Sequence, residues 1–542
     1  MKSVLLTAAA CLLGLGLAAC GGGTTPTAIP DQSCTSVNQP GDGPATADVL
    51  VYAATPSGVA AAIEAAHLGK RVAVLEPSLH IGGKFGGGIG LGEVKNLATV
   101  GGLARQFFDR VAAFPDSVAS GTKFEPHVAS AVISQMLCDQ SGIHVYLGTT
   151  LASVTKSGNL IQSVRSGQGT TFSASQFIDA SYEGDLMAAA GVTYTVGREA
   201  KSQYNEPLAG VQPSGLVNAV KFDPYIVPGD ASSGLLPHIS ATPPGLQGTA
   251  DRRIMAYTYR VCVTKNVDNR VPFAPPPGYD PAEFEALARS VEAKIANGDK
   301  VALDRIITLQ GLPHGKFDVN NVKDIPIDYP EGSYGYIDAT ADQRIAIAKE
   351  HERYVRASLY FLATSPRLPQ NIRDAASALG YCKDEYVDND HFPYQFYIRE
   401  LRRMVGPYVM TQNDAVNGTA TQSIGLGAYY FDSHTVSVFA DRGLAKAEGH
   451  TLTDVKPYQI PYAVLTPQPT EARNLLVSVS ISASRVAFTS MRVEPTLMIM
   501  GQAAGAAAAM AIDQGSAVQD VDYNALAAQL TKDGQILSYS GG

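Results

Sequence analysis

Residue types suited to acid–base work stand close together in Tyr429-Tyr430-Phe431-Asp432-Ser433-His434. A histidine two residues from a carboxylate can take a proton from a hydroxyl or amine, which makes His434 a candidate catalytic base. A lone histidine serves structure as readily. Arg485 is a second candidate, as a binder of a substrate anion or a developing oxyanion. Arg399, Arg402 and Arg403 either bind an acidic substrate or pair with acids on a solvated face, and the second use is the expected one. Glu183 and Asp185 are carboxylates with two uses, catalysis or capping of the helix that follows, and capping is expected because acids favour a helix start. Metal chemistry finds no support. Cys34, Cys138, Cys262 and Cys382 form no Cys-x-x-Cys pair, and Asp318, Asn320 and Asp324 lack the spacing and final glutamate of an EF-hand loop.

A second kind of chemistry is written into Asp48 to Pro77, "DVLVYAATPSGVAAAIEAAHLGKRVAVLEP". An apolar run, a turn, an alanine-rich helical stretch ended by Gly69 and a second apolar run fit into about 30 residues, the size of a βαβ unit. The turn that would read Gly-x-Gly-x-x-Gly for a dinucleotide instead reads Ala53-Ala54-Thr55-Pro56-Ser57-Gly58. Gly58 retains the packing glycine. Ala53 adds a methyl group at the tight turn, and Thr55 offers a hydroxyl that could meet a phosphate beside the helix N-terminus. Glu76, followed by Pro77, closes the second strand where a ribose acceptor belongs and would repel a 2′-phosphate.

Immediately beyond lies "PSLHIGGKFGGGIGLGE", with Gly82, Gly83 and Lys84 at its centre. A second glycine cluster lets backbone lie flat against a bulky ring system. These stretches, with "FEPHVA", "FIDASYEGDLMAAAGVTYTVGREA", "FYIRELRRMVGPYVMTQND", "YYFDSH" and "NLLVSVSISASRVAFTSMRVEPTLMIMGQAAGAAAA", resemble the FAD-dependent oxidoreductases of the glutathione-reductase-like superfamily. Within it the chain is similar to a bacterial group sometimes labelled xanthan-lyase-like, over about Asp48 to Ala511. The group usually has glycine at Ala53 and often histidine at Arg485.

The resemblance implies FAD as cofactor, a Rossmann-like three-layer domain built on a parallel sheet, and a mixed α+β substrate domain. Asp179 and Ala180 would lie along the adenosine half, while Arg492, Gly501 and the start of the last long helix would meet the flavin. That helix end would stabilise the negative charge of the reduced ring, as would Arg492, for which a salt bridge to Glu494 is the plainer use. Val145 to Val164 should form a small inserted hairpin layer, and Arg473 to Ser484 a strand. His80 is a candidate for covalent attachment of flavin, although most of the superfamily binds FAD without a bond.

The expected divisions are residues 1–20, 21–47, 48–196, 197–459 and 460–542: leader, tether, FAD-binding part, substrate domain and return to the FAD-binding part. Met1 to Cys20 reads as a bacterial lipoprotein signal that leaves Cys20 lipidated, and the glycine-, threonine- and proline-rich residues after it read as a flexible tether. This places the protein at the cell envelope, facing the periplasm from the outer membrane and held by lipid alone. Thr496 to Ile512 is apolar but short for a span and reads as a buried helix. A net charge of -9 argues against nucleic acid as a partner. No further dinucleotide fingerprint follows Gly92, so electrons should come from a small-molecule substrate and leave to oxygen, a quinone or a redox protein. The expected reaction is oxidation of a CH–OH or CH–NH group by hydride transfer to flavin N5. The rivals are an FAD-containing lyase or isomerase without net redox change and a non-catalytic lipoprotein that retained the fold.

Overall fold

A computed structural model describes residues 46–115, 121–212, 221–321 and 327–539. Cys20, the leader, nearly all of the tether and Asp324 lie outside the described residues. Those described belong to one compact unit, Gln32–Gly542, so the expected nucleotide and substrate parts share a single body.

The first strand β1 (Val49–Tyr52) runs into helix α1 (Pro56–His67) and strand β2 (Val72–Leu75). Thr55 caps α1 by accepting the Gly58 amide, and Pro56 occupies the first turn, where its missing N–H is no loss. The chain then makes the short helix α2 (Gly83–Gly87), α3 (Gly102–Ala113), α4 (Pro126–Cys138) and strand β3 (Ile143–Tyr146). A meander of β4 (Leu151–Ser157), β5 (Leu160–Ser166) and β6 (Thr171–Ser173) precedes β7 (Gln176–Asp179) and helix α5 (Asp185–Ala189). Near the end come β8 (Leu475–Val477), α6 (Glu494–Gln514) and α7 (Tyr523–Lys532).

Strands β8, β7, β1, β2 and β3 lie side by side in that order, each pair parallel. Side chains alternate across this sheet because the strand period is two. Val49, Val51, Val72, Val74 and Ile178 join the helical core, while Leu50, Tyr52, Ala73, Leu75 and Phe177 join a second core with Ile161, Val164 and Phe172 of the meander. Helices, parallel sheet and antiparallel meander are the three layers expected. Two boundaries differ. Val145 and Tyr146 belong to the parallel sheet rather than to the hairpin layer, and only Leu475–Val477 of the Arg473–Ser484 stretch is strand.

Helices α1 and α6 touch backbone to backbone. A Cβ on Gly501 would stand 2.0 Å from the Ser57 carbonyl oxygen, and one on Gly505 2.3 Å from that of Ala61. Gly501 is therefore a helix-packing glycine, as the small residues along this helix imply. Thr496 to Ile512 lies inside this buried helix. The same helix pair holds Glu64, whose carboxyl takes the Gln502 amide at 2.9 Å while Gln502 accepts Leu103 N–H. Burial, with Asp533 nearby, pushes the Glu64 carboxyl up to about 8.

Glu64 thus folds protonated. The stability it supports is full below the ordinary carboxyl value of 4.5 and declines as pH rises towards 8, because the unfolded chain releases that proton first. Glu64→Gln should remove this decline. We expect the variant to gain roughly 2–3 kcal/mol at pH 7 and almost nothing at pH 4.5, read from denaturant melts at both values.

The central part carries an antiparallel sheet in the order 270–272, 380–382, 262–264, 316–320, 308–311. Cys262 and Cys382, on adjacent strands, are joined by a disulfide, and Cys138 is also disulfide-bonded. The alternative of isolated thiols does not hold for these three. A long helix, Ala341–Thr364, packs on the helix Gln370–Ser377, sets Arg356 over the Tyr381 ring of this sheet and starts on a capping box formed by Thr340 and Gln343.

Candidate active site

The strand order 8-7-1-2-3 reverses direction between β1 and β7, and ligands of open α/β sheets bind outside the carboxyl ends of strands at such a point. The turn Ala53 to Gly58 sits there. Ala53 holds φ +75, a left-handed conformation that an alanine enters at a cost of about 1 kcal/mol and a glycine enters freely. The Gly58 position cannot carry a Cβ, which would lie 2.0 Å from the Ala53 carbonyl. Ser57 and Pro56 are buried in the first turn of α1.

Thr55 does something other than expected. Its hydroxyl donates to the Ala180 carbonyl at 2.8 Å and accepts the Gly58 amide, so its proton is committed and it clamps β1 to β7. It has no proton left for a phosphate oxygen. Asp179 is likewise spent on its own turn, accepting Ser181 and Met187 amides, with burial raising it to about 6. Glu76 stands at the end of β2 with one oxygen on Ala54 N–H and the other on Ser78 N–H, both at 2.7 Å. A carboxylate offers about four acceptor positions, so two remain for ribose hydroxyls. Pro77 follows it at half burial.

Gly82 and Gly83, at φ +90 and +46, fold the next loop onto this turn: a Cβ on Gly83 would lie 2.5 Å from Tyr182 Oη and 3.2 Å from Thr55 Cα. Lys84 follows, 2% exposed, its ammonium 3.1 Å from Glu494 and over the rings of Tyr182 and Tyr397. Burial holds the Lys84 amine below its usual value, against the pull of Glu494.

Glu494 opens α6, whose N-terminus has no side-chain cap. With Gly501 over Ser57 and Gly505 over Ala61, α1 and α6 run in the same direction. Glu494 begins six residues further ahead in that frame, so the α6 end projects about 9 Å beyond the α1 end. Two positive helix ends at that stagger, the α6 end without a side-chain cap, suit a cofactor with a pyrophosphate at one end and an electron-accepting ring at the other. The fit is supported by orphaned polar atoms, since Glu494 Oε2 and Arg492 Nε have no hydrogen bond, while Glu494 Oε1 faces the Lys84 ammonium. Beside the same helix end a small, half-open cavity is lined by Glu93, Lys95, Tyr429, Pro495 and Thr496. Arg492 pairs with Asp432 at 3.1 Å, not with Glu494.

His434 is 8% exposed, and its Nδ1 lies 2.8 Å from Asp328, a residue that sequence reasoning did not single out. Asp328 also pairs with Arg399 at 3.0 Å, and Arg399 and His434 together hold its carboxyl low against the opposing effect of burial. Asp432, the expected neighbour, stands 3.7 Å from Nε2. Glu93 is the second residue missed: its carboxylate receives the Tyr397 hydroxyl at 3.1 Å. The acid that ends a glycine run was the one available signal for it.

Several expectations need correction. Arg485 is buried and locked onto Glu400 at 2.8 Å, with Nη2 on the Ser433 hydroxyl, so its charge is already neutralised and it braces the residue before His434. Arg399, Arg402 and Arg403 lie in an extended segment and meet Asp328, Asp185 and Glu199, not a solvated face. Asp185 stands in the first turn of α5, as an acid at a helix start should, but neither it nor Glu183 makes a capping hydrogen bond. Glu183 accepts the Tyr336 hydroxyl at 3.0 Å, and Asp185 pairs with Arg344 and Arg402. His80 stacks on Tyr394 with ring centres 3.5 Å apart. Asp318 pairs with Arg260 on a strand, which uses it for structure.

No sequence among the curated proteins matches the chain. Among solved structures it is similar to the OxyS anhydrotetracycline hydroxylase from Streptomyces rimosus, at 17% identity over 29% of this chain and 35% of that one, TM-score 0.21. It is also similar to THI4 from Thermovibrio ammonificans, at 20% identity over 29% of this chain and 67% of that one, TM-score 0.21. A third is glycine oxidase from Geobacillus kaustophilus, at 16% identity over 29% and 63%, TM-score 0.21. The chain thus spans about a third of the length of the hydroxylase. A family model described as FAD dependent oxidoreductase matches residues 48–530. Carrying that match across nearly all of its described residues, the chain belongs to the FAD-dependent oxidoreductase family, whose cofactor is FAD.

Proposed function

We propose that this flavoenzyme oxidises a CH–OH or CH–NH group of a small polar or sugar-like substrate at the cell envelope, with His434 as the base. The observation that carries the reading is the Asp328–His434 pair. An Nδ1–H donated to Asp328 fixes the tautomer and leaves Nε2 with its lone pair, the arrangement a general base needs. Arg399 neutralises Asp328 from its other side, so the carboxylate orients the ring without having to accept its proton. Arg492 occupies Asp432 and keeps that acid from competing for Nε2. Arg485 braces Ser433 and with it the backbone that carries His434.

Bound FAD supplies a two-electron hydride acceptor. Glu76 would hold its adenosine ribose, the α1 end its pyrophosphate, and Lys84, Arg492 and the α6 end its ring. As the substrate's C–H electrons leave, its O–H or N–H proton passes to His434 Nε2.

The envelope location rests on the Met1–Cys20 signal and Cys20 lipidation, and it is supported by the disulfide-bonded cysteines, which persist in oxidising compartments. The electron acceptor would be oxygen, a quinone or a redox protein, and nucleic acid would be no partner. The test is a visible spectrum of purified protein, followed by anaerobic additions of sugars, hydroxy acids and amines. The yellow flavin bands should be present and bleach with a substrate of this class. Protein that stays colourless after refolding with FAD would overturn the reading.

A further inference from the structure

Glu93 is held in place with unusual care for a loop residue. Its backbone takes φ +48, a conformation that non-glycine residues keep only where surrounding structure imposes it. Gly92 before it is forced, because a Cβ there would stand 2.4 Å from the Phe108 ring. The Glu93 side chain is 8% exposed, both its oxygens lie 3.1 Å from the Tyr397 hydroxyl, and the Arg260 guanidinium is 3.8 Å away. Tyr397 is fixed in turn by Lys84, Arg260 and Arg399 around its ring and by Arg492 at its hydroxyl. Glu93 lines the cavity beside the uncapped N-terminus of α6. Lys95 on the same cavity is drawn off to Asp454 and the Tyr430 ring.

The cavity therefore presents helix N–H donors and a carboxylate acceptor side by side. The pyrimidine edge of an isoalloxazine shows the complement, an imide N–H flanked by two carbonyl oxygens. One Tyr397 proton leaves the Glu93 oxygens with acceptor positions to spare. We propose that Glu93 is a ligand of the cofactor ring, the acceptor for its imide N–H and a fixed negative charge that opposes the α6 end, Lys84 and Arg492 in setting how readily the ring takes electrons. This rests on the reading of the α6 end as the flavin-ring site.

The test uses holoenzyme and needs no substrate. Glu93→Gln keeps an acceptor oxygen and removes the charge. It should retain FAD on ultrafiltration, and in equilibrium with a reference redox dye it should shift the ring at least tenfold towards the reduced form. Glu93→Asp keeps the charge and should stay within threefold of wild type in that equilibrium. Glu93→Leu removes the acceptor and should release FAD at least tenfold more readily, with the melting transition reporting whether the fold is intact. A Glu93→Gln equilibrium within twofold of wild type overturns the proposal. If Glu93→Gln does not fold, Tyr397→Phe decides: freeing the carboxylate from the Tyr397 hydroxyl should alter the bound flavin's visible band shape, and an unchanged band overturns the proposal. Wild type that holds no flavin refutes the cofactor-site reading and this inference with it, whereas coloured wild type with a silent Glu93→Gln refutes the inference alone.

Discussion

His434→Asn should reduce flavin bleaching by whichever substrate bleaches the wild type by 10²–10⁴-fold, the range a positioned base supplies. The fold should survive. Asp328 keeps Arg399 at 3.0 Å and Asn321 at 3.3 Å when the imidazole is gone, so no buried carboxylate is left without a partner. Asparagine can still donate an N–H towards Asp328 but offers no basic nitrogen where Nε2 stood. The visible spectrum and melting transition should match wild type, and the loss should fall on the rate of reduction at saturating substrate instead of on half-saturation. Asp328→Asn should slow reduction too, through the tautomer, since an amide facing Nδ1 favours the proton on Nε2. Wild-type rates in His434→Asn would remove His434 from the chemistry and leave Glu93, on the cavity, as the acid to examine.

The sequence made the β1–α1–β2 unit legible because everything needed there is local. Two continuously apolar runs, a capping threonine, a proline in the first turn and Gly69 at φ +79 after the helix all act within a few residues of one another. The same locality misleads at Thr55, whose hydroxyl faces Ala180, 125 residues on, and not a phosphate. It misleads at His434 as well. Asp432 drew attention by standing two residues away, yet the bond to Nδ1 comes from Asp328, 106 residues earlier in a stretch, "DIPIDYPEG", with no periodic or compositional mark.

Buried charge was the least legible feature. Arginines in "IRELRRMVG" read as a solvated helix face because ionised side chains are rarely interior without partners. Here each partner comes from a distant segment: Asp328, Asp185 and Glu199. Pairs of this kind depend on which loops the fold brings together, and the Glu93–Tyr397 contact, 304 residues apart, depends on it in the same way.

Glycine at 501 invites a second large effect, now through the fold. Gly501→Ala puts a Cβ 2.0 Å from the Ser57 carbonyl oxygen, well inside contact distance, and both sides of the clash are helix backbone with no rotamer to turn away. Overpacking of flexible core side chains already costs about 1–3 kcal/mol. A backbone clash should lie at or above the top of that range, about 3 kcal/mol or more, in denaturant melts. Gly311→Ala, where an added Cβ meets nothing within 4 Å, should stay within about 0.5 kcal/mol. The displacement also has a chemical consequence. The stagger of the α1 and α6 ends depends on Gly501 and Gly505 seating on α1, so prying the helices apart moves the two helix ends that the cofactor spans. Gly501→Ala should therefore lose FAD on ultrafiltration under conditions in which Gly311→Ala keeps it. A variant that retains flavin with wild-type stability would show that the two helices tolerate separation, and the stagger argument for the site would fall with it.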